Sequence, residues 1–142
     1  MKESLIQLAA AFLGSLGFSL VFGLRRRYLF AASLGALLAW AVYLLAEHTV
    51  GIAFLSNLLA TAFAVVYAEV LAHRLKCPAT LFLTPGIIPM VPGGSLYYAM
   101  SSVVRGEMTA ARAYGAATLH AALAIAAGIS IVLAVRELNA RR

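Results

Sequence analysis

Apolar runs of about twenty residues, joined by short charged connections, recur along the whole chain. The first occupies residues 4–24 and stops at Arg25-Arg26-Arg27. The second, 28–46, is closed by Glu47-His48, and the third, 52–72, by His73-Arg74-Leu75-Lys76. The last, 113–135, runs into Arg136-Glu137 and a tail ending Arg141-Arg142. Each is long enough to cross a bilayer as a helix, which takes about 20 apolar residues. The fourth run, 79–104, is equally apolar but is punctured by Pro85, Pro89 and Pro92 and by Gly86, Gly93 and Gly94, with Pro78 just before it. Proline removes an amide donor and blocks the preceding helical turn. In hydrocarbon, unpaired backbone groups survive only where protein encloses them or where they line a wet cavity. The pattern therefore predicts an all-α, polytopic membrane bundle of about five transmembrane helices, the fourth broken, forming a single domain over residues 1–142.

Lys and Arg orient this layout. With the N-terminus outside, the inner side collects Arg25, Arg26, Arg27, Arg74, Lys76, Arg136, Arg141 and Arg142, against Lys2, Arg105 and Arg112 outside. That bias obeys the positive-inside rule and places the C-terminus in the cytoplasm. Treating 79–104 as a re-entrant hairpin gives four spans and a weaker bias. The first run is not read as a secretory signal, because its positive charge follows the apolar stretch and the stretch is too long.

Composition agrees. The chain has 142 residues, 63% of them hydrophobic and only 11% charged, whereas a soluble domain carries about 25% charged residues. The net charge of +6 sits at the ends of apolar runs, not in a patch interleaved with aromatics, so nucleic-acid binding is excluded. Cys77 is the single cysteine, which leaves no intrachain disulfide, and no Cys/His spacing suits a metal. No cofactor is expected. The parts of an enzyme are missing too: no paired carboxylates in one span, no nucleophile elbow, no metal-ligand spacing. A Walker-type phosphate loop is also absent, so transport would draw on a gradient and not on nucleotide hydrolysis.

Small residues recur every four positions: Ala11, Ser15, Ser19 and Gly23; Ala31, Gly35 and Ala39; Ala116, His120, Ala124 and Gly128. Such rows let helices approach closely in lipid. The chemistry is expected at the broken crossing. Ser95 reads as the N-cap of a new half-helix from Leu96 onward, whose free amides suit a carboxylate. Gly93 and Gly94 admit a ligand close to the backbone, and Tyr97 and Tyr98 add hydroxyls. Thr84 and Gly86 flank the end of the first half-helix, where free carbonyls suit a cation or an amine. With Pro89 and Pro92, these residues form the expected substrate site, the alternative being a simple kink.

Two ionisable groups are candidates for proton coupling. His120 reads either as a proton-exchanging group or as a neutral histidine bonded between helices. Glu69 reads either as an acidic relay or as an interfacial charge near Arg74. Asn57 and Thr61 read as interhelical glue, and Tyr28, Trp40 and Tyr43 as an aromatic belt.

The run from Gly86 to Met100 resembles the signature of the threonine/serine exporter family, in particular the small, separately encoded membrane subunit of its two-component members. Ile88-Pro89-Met90-Val91-Pro92-Gly93 matches the core of that signature and Tyr98-Ala99-Met100 its end. The resemblance implies secondary export of small amino acids (threonine, serine) or of dicarboxylates, across a bacterial inner membrane. It also implies a larger membrane subunit of the same family as partner, since this chain corresponds to one half of the single-chain members. A homo-oligomer and a scaffold that only stabilises the transporting partner are further expectations.

Overall fold

The computed structural model describes residues 2–140, and every regular element among them is helical. In order they are α1 (Lys2–Val21), α2 (Arg26–Val50), α3 (Ala53–Leu75), α4 (Thr80–Ile87), a single 3-10 turn (Ile88–Met90), α5 (Gly93–Val104) and α6 (Met108–Ala140). Four of them (α1, α2, α3 and α6) are long and apolar enough to span a membrane, and α4 with α5 forms a bent fifth candidate. The helices extend past the apolar runs because charged residues such as Arg26, Arg74 and Arg136 continue them. Apolar length sets the thickness crossed, not where the backbone hydrogen bonds stop. Gly51 ends α2 at φ 66° and Gly106 turns α5 into α6 at φ 76°, positions in the left-handed region that glycine enters without strain.

The helices pack as neighbours in a chain of contacts: α1 on α2, α2 on α3, and α3 on α6. Helix α4 is wedged among α1, α2 and α3, and α5 packs principally on α6. The contacts are made by small residues. Ala32, Ala36, Ala39 and Ala60 are fully buried, as are Ser15, Ser19, Ser33 and Ser56. At Gly35, an added Cβ would lie 2.6 Å from the ring of Tyr67, whose hydroxyl donates to the Ala31 carbonyl at 2.8 Å. At Gly128, a Cβ would lie 2.9 Å from the Leu58 carbonyl oxygen of α3. Dispersion between closely approaching backbones holds such a bundle together in lipid. Several buried polar groups are satisfied within their own helices. Ser33 donates to Leu29, Ser56 to Ile52 and Asn57 to Ala53, each four residues back.

The small-residue rows hold on α1 and α2 but not throughout α6. Ala124 and Gly128 face the bundle, whereas Ala116 and His120 are exposed. Four-residue steps advance 400° around a helix, so such a row drifts by about 40° per step and leaves the contact face. The inward-facing strip of α6 passes instead through the buried Ala111, Ala124 and Gly128 and the half-buried Thr118, Ala121 and Ile125. Gly23 likewise ends its row in an exposed turn (φ 69°).

Contacts fix the stagger of the helices. Arg136 pairs with Glu69 at 2.7 Å and Gly128 abuts Thr61, so α6 runs parallel to α3. At that stagger His120 lies level with Ala53, where α3 begins. The roughly twelve residues of α6 before it, about 18 Å of helix, extend past the start of α3. Helix α5 lies antiparallel along this extension, with Ser95 meeting Thr118 and Tyr98 meeting Tyr114. Arg25–Arg27, Arg74, Lys76 and Arg136 thus share one end of the bundle. Lys2, Arg105 and Arg112 lie toward the other. The path from α4 through α5 bends by 49° without reversing, and it leads from the first end to the second.

Candidate functional site

The break is built in two halves with different surroundings. The first half is buried. Phe82 is 1% exposed and meets the Tyr28 ring edge-on at 5.7 Å, anchoring α4 against α2. Pro85 and Gly86 are buried behind it. Because Pro85 and Pro89 carry no N–H, the carbonyls of Leu81 and Pro85 lack their normal helical donors. The 3-10 turn then carries the chain through Ile88 and Pro89 to Met90, which packs with Ala39, Ala60 and Ala64. The Thr61 hydroxyl lies 3.5 Å from the Met90 sulfur. Thr61 therefore tethers the break to α3.

The second half is open. Val91 N–H bonds back to the Ile88 carbonyl, and the backbone at Val91 and Pro92 then leaves the helical region (ψ 124° and 53°). Helix α5 starts at Gly93, two residues before the expected Ser95 cap. Ser95 does not cap it: its hydroxyl donates backward to the Pro92 carbonyl at 3.1 Å and meets the Thr118 hydroxyl at 3.0 Å. Glycine without a side chain lets the helical turn begin directly after Pro92, which moves Ser95 inside the first turn. Gly93 and Gly94 are exposed, and a Cβ on either would meet nothing within 4 Å. Tyr97 and Tyr98 are also exposed, their rings edge-to-face at 5.5 Å, with Tyr98 continuing onto Tyr114.

The expected site residues therefore do not converge on one cavity inside this chain. Pro89 and Ile88 line a mostly apolar pocket of about 270 Å³ with Gln7, Ala11, Ser15 and Trp40. The indole of Trp40 donates to the Gln7 side chain at 3.4 Å across it. Thr84 lines a separate pocket of about 220 Å³ with Phe22, Leu24, Thr80 and Pro85. Gly93, Gly94, Tyr97 and Tyr98 are exposed and line neither pocket. The wall opposite Pro89 was not singled out from the sequence as part of the site. Its signal was the α1 row, in which the Ser15 and Ser19 hydroxyls are buried without a partner among the described residues.

The ionisable candidates separate in the same way. His120 is exposed on α6, with no hydrogen-bond partner among the described residues. The expected interhelical bond is therefore not made among the described residues. The Glu69 side chain is 18% exposed and its partner is Arg136 of α6, not the nearby Arg74. Residues 69 and 74 differ by five positions and point to different sides of α3.

An all-helical bundle with four uninterrupted apolar helices and a fifth candidate broken at proline and glycine has the architecture of a multi-pass membrane protein, and such broken spans recur in transporters. The family profile described as "Threonine/Serine exporter, ThrE" matches residues 7–135, a range that includes the entire broken crossing. The chain belongs to the threonine/serine exporter family. No curated protein and no solved structure matches it.

Proposed function

We propose that this chain is the small membrane subunit of a secondary exporter for threonine and serine or for small dicarboxylates. In this reading the broken crossing forms one wall of the substrate path, and a larger subunit of the same family supplies the other. The carrying observation is the asymmetry of the break. Pro85 to Met90 is embedded in the bundle, while Gly93, Gly94 and the start of α5 stand open with unoccupied space around them. Gly93 N–H is taken by the Val91 carbonyl at 2.7 Å, so the Gly94 and Ser95 amides are the first-turn donors of α5 left to favour a carboxylate. The basic end of the bundle is the cytoplasmic face of a bacterial inner membrane, with both ends of the chain assigned by charge as expected from the positive-inside rule.

The test is Gly93→Leu. A side chain there collides with nothing in this chain, so the subunit should fold and insert normally, and co-purification with the larger subunit checks that the complex still forms. Efflux of threonine, serine and succinate from cells co-expressing the larger subunit should be abolished. Wild-type efflux from that variant would remove the break from the path and favour a scaffold that only stabilises its partner.

A further inference from the structure

We propose a second site at the basic end of the bundle: an oxyanion pocket at the α3–α4 corner that takes a carboxylate or phosphate group. A cleft of about 600 Å³ opens there between the end of α3, the turn into α4 and the last part of α6. Its walls include Glu69, His73, Lys76, Cys77, Ala79 and Arg136. None of the residues of the broken-helix signature lines it. An adjoining cleft of about 340 Å³ adds Arg74 to the same charged surface.

The charge balance selects the ligand. The single carboxylate in the wall, Glu69, is charge-paired with Arg136 at 2.7 Å, so these two groups balance each other and leave no net negative charge to draw a cation. Lys76 has no ion-pair partner among the described residues, and His73 stands beside it in the same wall. An anion entering the cleft therefore meets uncompensated positive charge and the donors of Lys76 and His73. Anionic headgroups bind in such basic pockets between membrane helices, and a substrate carboxylate offers the same chemistry.

Lys76 also occupies a costly position. It caps α3 in the left-handed region at φ 51°, the only positive-φ residue other than glycine among the described residues. Glycine fills this C-terminal position most readily. Lysine here gives up backbone ease and places a cation at the cleft.

That feature makes the test selective. The full chain in nanodiscs of neutral lipid is titrated with succinate, threonine and inorganic phosphate. Neutral nanodiscs are also compared with discs containing phosphatidylglycerol. The expected result is a rise in melting midpoint with at least one of the carboxylate or phosphate ligands (succinate, inorganic phosphate, phosphatidylglycerol, or threonine through its carboxylate). A rise with soluble anions identifies a solute site, and a rise with phosphatidylglycerol alone identifies a headgroup site. Lys76→Gly should weaken that binding about tenfold or more, the loss expected for a charge-assisted hydrogen bond. Its ligand-free midpoint should equal or exceed that of wild type. Lys76→Met should weaken binding equally while keeping the left-handed strain. The absence of any anion-induced shift, or an unchanged shift in both variants, would overturn the site. Because succinate and threonine are also the proposed substrates of the broken crossing, the loss of the shift in the Lys76 variants, and not the shift itself, reports this site; a shift that Lys76 variants keep belongs to the crossing.

Discussion

Individual glycines on one helix have opposite meanings. Gly128 and Gly115 both lie on α6, yet a Cβ at Gly128 would meet the Leu58 carbonyl oxygen at 2.9 Å and Thr61 Cβ at 3.0 Å, whereas one at Gly115 would meet nothing within 4 Å. Backbone cannot step aside as a flexible side chain can. Gly128→Ala should therefore push α3 and α6 apart and cost about 1–3 kcal/mol. Gly115→Ala should be neutral or stabilise by up to about 1 kcal/mol through helix propensity. Melting midpoints of the two variants in detergent check this, and equal midpoints would mean that the α3–α6 contact is not close packed. The same contrast explains the choice of Gly93 for the transport test: its surroundings are empty, so a larger side chain there probes the path and not the fold.

At the scale of elements, the broken crossing depends on two amides that Pro89 and Pro92 withhold. Val91 N–H is the donor that closes the turn between them, on the Ile88 carbonyl. Restoring both amides in Pro89→Ala/Pro92→Ala should let α4 run on into α5. Spin labels at Thr80 and Val104 would then move apart, toward the roughly 36 Å of an uninterrupted helix of that length. An unchanged distance would show that the 49° bend is imposed by the packing of α5 on α6 and not by the prolines. Export should fall along with the straightening, because the half-helix ends that face a substrate would be consumed by ordinary helical hydrogen bonds.

For the whole molecule, the decisive property is which connections share a face of the membrane. The turn between α5 and α6 lies at the opposite end of the bundle from Arg25–Arg27. On a Cys77→Ala background, Glu107→Cys should react with an impermeant thiol reagent in intact cells, and Arg26→Cys only after permeabilisation. Labelling of both from the same face would turn α4–α5 into a re-entrant hairpin and the bundle into a four-span protein. The protruding α5–α6 hairpin also bears on the assembly. It carries Leu96, Tyr97, Tyr98, Met100, Tyr114 and Leu119 as exposed side chains, beyond the level at which α2 and α3 turn. On the proposed reading, this is where the larger subunit would close over Gly93 and Gly94.

Much of this was readable along the chain. Long apolar runs in lipid can satisfy their backbone only as helices, so the number and order of the spans follow from hydropathy. Withheld amides and glycine flexibility locate the break just as locally. What linear spacing does not carry is the stagger and rotation of one helix against another. The Ala116–His120–Ala124–Gly128 row looked like a single face, but helical drift turns His120 outward. Glu69 chose Arg136, 67 positions away, over Arg74, five away. Ser15 and Trp40 came to face Pro89. These outcomes depend on side-chain volume and close backbone approach between elements distant in sequence, and packing in three dimensions alone decides them.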